Sequence, residues 1–85
     1  MSDYRLLVAQ EVIVFLDSLK KVERLRLMRR FEEIAAFPGN YADYEERDPT
    51  GRRIDVNVFG KFAIAFWDDF ADRDLKIISV KIADR

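Results

Sequence analysis

Four aspartates within seven positions, Asp68, Asp69, Asp72 and Asp74, form the densest set of possible cation ligands in this sequence. Their spacing fits no calcium loop and no glycine lies among them, so a solvated bend is the expected use. Just before them, Phe59 and Trp67 offer flat faces on which unpaired bases could stack. Cover by a loop or a chain terminus is the commoner fate of such aromatics. Upstream, Lys20, Lys21, Arg24, Arg26, Arg29 and Arg30 are opposed only by Glu23 between Lys20 and Arg30, while Asp43 to Asp48 holds four acids against Arg47. The basic stretch reads either as a solvated helix face or as a patch facing an anion, from nucleic acid or an acidic partner. With no cysteine and no histidine in the chain, thiolate nucleophiles, thiolate or imidazole metal sites and a serine–histidine triad are excluded. The sequence carries no cofactor motif and no metal-ligand spacing, so none is expected.

These residues must be positioned by a small number of elements. Tyr4 to Ala9 is a short apolar run that fits a strand, with Tyr4, Leu6 and Val8 on one side. The period then changes. Val12, Phe15, Leu16 and Leu19 give a helical stripe, and Leu27, Met28, Phe31, Ile34 and Ala35 give a second. One helix from Gln10 to Ala36 would run roughly 40 Å at ~1.5 Å per residue, too long for a chain whose radius of gyration should be ~12 Å. A break between Ser18 and Val22 is therefore expected, giving a helical hairpin. Phe37-Pro38-Gly39-Asn40 should end it, because Pro38 biases Phe37 out of the helical region and Gly39 can turn left-handed.

After a polar stretch from Tyr41 to Arg47, which reads as a loop or a short edge strand, Asp48-Pro49-Thr50-Gly51 is a turn. Three alternating segments follow: Ile54, Val56, Val58; then, beyond Gly60-Lys61, Phe62, Ile64, Phe66; then Ile78, Val80, Ile82. They predict an antiparallel meander. On this reading the even-numbered residues form the apolar face beneath the helices. The odd-numbered ones form the other face: Arg53, Asp55, Asn57 and Phe59, then Lys61, Ala63, Ala65 and Trp67, then Ile77, Ser79, Lys81 and Ala83. Alanine is a poor residue for an exposed strand, so Ala63 and Ala65 suggest a shallow concavity. It could be covered within the chain, or could bind a peptide, RNA or an oligomer partner. The fold class predicted is α+β: an N-terminal strand, a helical hairpin, then the meander, with both helices on one face of the sheet.

Several segments also carry a family resemblance. They are Ala9 to Leu19, Gly51-Arg52-Arg53-Ile54-Asp55-Val56, Gly60 to Asp69 and Val80 to Asp84. Together with the order strand, helical hairpin, meander, they resemble the RelE/ParE superfamily of bacterial toxins across residues 1–85, as a single RelE-like domain. The resemblance implies the toxin of a type II toxin–antitoxin module whose partner is a cognate antitoxin. Some members cleave mRNA on the ribosome as metal-independent endoribonucleases, and others block DNA gyrase. In the nucleases, basic side chains on the exposed sheet face activate the ribose 2′-hydroxyl, stabilise the phosphorane and protonate the leaving oxygen. Carried over to this sequence, that role falls to Arg53, Lys61, Lys81 and Arg85. The arginine expected on the middle strand is replaced by Ala63, and no tyrosine or histidine follows Phe70. A non-catalytic binding module of the same fold is the alternative implied. That module would be a gyrase inhibitor or a toxin relative that only binds protein. The oligomeric state is left open.

Eighty-five residues, 49% of them hydrophobic, can build one modest core, and 36% charged residues keep the surface solvated. No apolar run approaches the ~20 residues that span a bilayer, and the first residues lack the pattern of a secretory leader. A cytoplasmic protein without membrane contact is expected.

Overall fold

In the computed structural model, which describes residues 4–83, the chain runs β1 (Arg5–Val8), α1 (Gln10–Asp17), α2 (Lys21–Ala36), a 3-10 turn (Pro38–Tyr41), β2 (Tyr44–Arg47), β3 (Arg53–Phe59), β4 (Phe62–Asp69) and β5 (Asp74–Ile82). The expected break falls between α1 and α2, where the Ser18 and Leu19 amides donate to the Phe15 and Leu16 carbonyls. An unbroken helix would have exceeded the molecule's longest dimension of 35 Å. α2 ends at Phe37 before Pro38, as expected. Gly39, however, does not turn left-handed; it continues from Pro38 into the 3-10 turn.

The sheet has five strands in the order β1-β5-β4-β3-β2. β2 to β5 are antiparallel neighbours, and β2 is the short edge strand. β1 lies parallel to β5 at the opposite edge, because the helical hairpin between them acts as the crossover that a parallel pair requires. The Asp48–Gly51 turn closes β2 onto β3 through a 2.8 Å bond from the Gly51 amide to the Asp48 carbonyl, with Gly51 at φ 87. Gly60 takes φ 59 at the β3–β4 turn, and Arg73 takes φ 57 in the β4–β5 bend.

Strand positions follow the sequence pattern, but the faces do not. Gly60-Lys61 is a two-residue turn, so Phe59 pairs with Phe62, Asn57 with Ile64 and Val56 with Ala65. Directly opposed residues share a face, so odd positions of β3 lie with even positions of β4. A bulge then changes the register again. Ala65 pairs with Ser79 but Phe66 pairs with Ile77, leaving Ile78 as the extra residue. The helix-bearing face therefore carries Asp55, Asn57, Phe59, Phe62, Ile64, Phe66, Leu75, Ile77 and Val80, and the outer face carries Ile54, Val56, Ala63, Ala65, Trp67, Ile78 and Ser79. The expected even-numbered apolar face holds on β4 and at Val80, and is reversed along β3 and at Ile77 and Ile78 of β5.

Two hydrophobic clusters result. The larger joins Val12 and Leu16 of α1 and Leu27, Phe31, Ile34 and Ala35 of α2 to the helix-bearing face of β4 and β5, with Tyr4, Leu6 and Val8 against it. Each large side chain fully buried there contributes about 1.5–3 kcal/mol. The smaller cluster, Ile54, Val56 and Ala65, lies on the outer face with Ala63, Trp67 and Ile78 packed against it.

Candidate functional site

The outer face holds the concavity that the alanines of β4 suggested. It encloses about 190 Å³. Val56, Ala63, Ala65 and Ser79 form its floor, and Tyr44, Glu46 and Lys81 stand at its sides. The floor is shallow because the paired residues Val56, Ala65 and Ser79 are all small, and so is Ala63 between Val58 and Lys81. Lys81 is exposed and brings the one cation of the lining, with the carboxylate of Glu46 beside the same depression.

Next along this face lies Trp67. The Arg52 guanidinium sits 4.2 Å and the Lys76 ammonium 4.6 Å from its ring centroid. Lys76 also reaches Asp69 at 3.7 Å. Arg52 is held in place by the turn before it. Its amide donates to Asp48 Oδ1 at 2.9 Å, and the same oxygen accepts from the Thr50 amide (2.9 Å) and hydroxyl (2.6 Å). These bonds, the Thr50 hydroxyl first, hold the Asp48 carboxyl below its ordinary value. Trp67 is thus already engaged with two cations of its own chain. Phe59 faces the other way, with the Arg30 guanidinium 4.3 Å and that of Arg26 5.8 Å from its centroid.

Three of the four candidate cations, Arg53, Lys61 and Lys81, lie within the described residues, and these three do not converge. Lys81 stands at the concavity. Lys61, at the tip of the β3–β4 turn, leans toward the helices and pairs with Glu23 of α2 at 2.8 Å, a bond that lowers the Glu23 pKa from its ordinary 4.5. Arg53 lies on the helix-bearing side at the start of β3. It approaches Asp55 at 3.4 Å and Glu45 at 3.6 Å, and these carboxylates raise its pKa further above an already high ordinary value. Arg85 lies outside the described residues. Asp55 is buried, and its Oδ1 makes no hydrogen bond of good geometry, so Arg53 acts there as a partial counter-charge. Sequence reasoning missed Arg52 and Lys76, which share the outer face with Lys81. The side each occupies depends on a turn and on a bulge that no alternation pattern reveals.

A second polar group lies on the helix-bearing face. Arg30 donates to Asn57 Oδ1 (3.1 Å) and pairs with Glu33 (2.9 Å), while the Asn57 amide and the Val58 backbone donate to Asp43 Oδ2 at 3.0 and 2.7 Å. This network ties α2, β3 and the strand entry at Asp43 together. Asn57, read from the sequence as part of an open face, is only 3% exposed. The aspartates near residue 70 are also drawn into local structure. Asp74 accepts from Arg5 at 3.0 Å, raising the arginine's pKa, and Asp69 accepts from the Asp72 amide at 3.3 Å. No group of acidic residues arranged to hold a metal occurs among the described residues.

The arrangement of β1, the helical hairpin and the β2–β5 meander is found in a solved protein. RelE, in the crystal structure of an archaeal RelE–RelB complex from Pyrococcus horikoshii, superposes with a TM-score of 0.78 at 18% identity, covering 96% of this chain and 97% of its own. This is a RelE-like fold. No protein-family model and no curated protein matches the sequence. The RelE-like fold accounts for the parallel β1–β5 edge and for helices confined to one side.

Proposed function

We propose that this chain is the toxin-like component of a type II toxin–antitoxin module, bound by a cognate antitoxin, and that its outer sheet face binds a target without cleaving RNA. The RelE-like fold, present in a protein solved as a complex with RelB, supports the module and the partner. The lining of the concavity carries the choice of binding over cleavage. Metal-free cleavage of RNA needs a base for the 2′-hydroxyl, positive charge for the phosphorane and an acid for the leaving oxygen. Here the floor is Val56, Ala63, Ala65 and Ser79, with Lys81 alone as cation. One ammonium can offset developing charge, and the groups beside it that could exchange protons, the Glu46 carboxylate and the Tyr44 hydroxyl, stand exposed on the edge strand β2 with no neighbour among the described residues that tunes them for that task. No helix among the described residues is long and apolar enough to cross a membrane, and the proposed place of action is the cytoplasm.

One observation favours a ribosome-dependent endoribonuclease instead. Arg52, Lys76 and Lys81 occupy the same face and could follow a phosphate backbone. Tightly controlled induction of the chain alone, followed by primer extension on cellular mRNA, separates the two. Growth arrest without new mRNA 5′ ends, relieved by co-expression of the neighbouring gene, is the expected result. New 5′ ends that vanish in Lys81→Ala would overturn the binding reading in favour of the nuclease. Unimpaired growth, with no complex between the chain and the neighbouring gene's product, would remove both.

A further inference from the structure

The two edges of the sheet differ in chemistry. β2 exposes Tyr44, Glu45, Glu46 and Arg47, and charges on an edge strand discourage pairing with another chain. β1 has Leu6-Leu7-Val8 after its single charge, Arg5, which is already tied to Asp74. In the parallel β1–β5 ladder the Arg5 amide donates to the Arg73 carbonyl at 2.8 Å and the Ala9 amide to the Ile77 carbonyl at 3.0 Å. Alternate residues face the neighbouring strand, so Leu7 faces β5, and the backbone groups of Leu6 and Val8 point off the sheet. Those groups have no partner among the described residues. A depression of about 340 Å³ opens beside this edge on the helix side, among Leu6, Val8, Ile13 and Met28. On the outer side a second, of about 280 Å³, adjoins Leu7 and Ile78. Leu7, Ile13 and Met28 are each more than a third exposed.

We infer that β1 is a homodimerisation edge: two copies pair their β1 strands antiparallel about a two-fold axis through Leu7, joining two five-stranded sheets into one. Leu6 of one copy then faces Val8 of the other, and each of these pairs exchanges both backbone hydrogen bonds, satisfying the groups that now point outward. The charges around the helix-side depression are self-complementary. Arg24, Asp17 and Glu32 line it, and none has an ion-pair partner within its own chain among the described residues. A pair joined at this edge sets two Arg24 guanidiniums among the four carboxylates of Asp17 and Glu32, with Ile13 and Met28 adding apolar surface beside them. The inference does not rest on the toxin reading, because the concavity and Lys81 lie away from this edge.

The test uses the absence of cysteine from the chain. Across an antiparallel two-fold, Leu7 forms a non-hydrogen-bonded pair with its copy, at a Cα separation of about 4.5 Å, inside the range a disulfide spans. Leu7→Cys should give a covalent dimer on mild oxidation, and Thr50→Cys, beside the opposite edge, should not. Light scattering on the unsubstituted chain should give twice its 10.0 kDa mass at high concentration, falling to the single mass on dilution. Leu7→Lys should hold the single mass throughout. Should that variant fail to fold, Met28→Glu on the surface of α2 should give the same result. A single mass at every concentration overturns the inference, as does a dimer that survives Met28→Glu or crosslinks equally through Thr50→Cys.

Discussion

On one face of the sheet, Phe62, Ile64 and Phe66 meet Leu27, Phe31 and Ile34 of α2 and are almost sealed from solvent. On the other, Ile54, Val56 and Ala65 form a thin layer whose neighbours are Ala63, Ile78 and a tryptophan under two cations. The same strands supply both. What separates them is the partner layer: the helical hairpin gives one face bulk to interlock with, and the other has small residues and long charged stems. The first face stores the folding free energy. The second stays shallow, its small residues flanked by exposed charged ones.

The contrast can be broken most severely at Phe66, which is fully buried. Phe66→Ala should lose about 3–5 kcal/mol of stability, read as a lower urea midpoint. Next comes the polar seam on the same side. Asn57→Ala leaves Arg30 and Asp43 without their shared partner and should cost about 1–3 kcal/mol, again by urea titration. On the outer face, Arg52→Ala removes an exposed cation–aromatic contact and should cost only about 0.5–1 kcal/mol, while quenching of Trp67 fluorescence by acrylamide increases. If Arg52→Ala proved as damaging as Phe66→Ala, the division between the faces would fail.

The smallest effect is in the pH dependence. Glu23 and Asp48 both have folded-state pKa values below their ordinary 4.5 and 3.8, through Lys61 and through the Thr50 and Arg52 donors respectively. A depressed carboxyl stabilises the fold at pH values above its ordinary pKa, and that contribution is lost as pH falls through the folded value. Urea midpoints should therefore decline from about pH 5 downward, and Glu23→Gln with Asp48→Asn should flatten that decline. An unchanged acid limb in the double variant would show that neither bond differs between the folded and unfolded chain.

How much of this was legible beforehand differs between elements and faces. The helical stripes, the break near Ser18, the stop at Pro38 and the three alternating strands are local patterns, and local patterns appear in sequence. Which side each strand residue takes is not local. It depends on Gly60-Lys61 being a two-residue turn, which moves Asn57 and Phe59 to the helix side, and on the extra residue Ile78, which turns Ile77 inward. For that reason Arg53 and Lys61 are separated from Lys81, while Arg52 and Lys76 join it. The Arg30–Asn57–Asp43 network was equally hidden, because its members lie 27 and 14 residues apart in the chain.

The parallel pairing of β1 with β5 also has a consequence for synthesis. Within this sheet β1 is made before the other four strands and pairs with β5, the last of the five, so the β1 edge cannot form until Asp74–Ile82 has been translated and released from the exit tunnel. Until then Leu6, Leu7 and Val8 travel with the nascent chain as an unshielded apolar segment, within reach of chaperones and of other nascent copies. Slow codons before residue 74 would lengthen that exposure, and so would any later pause that holds Asp74–Ile82 inside the tunnel.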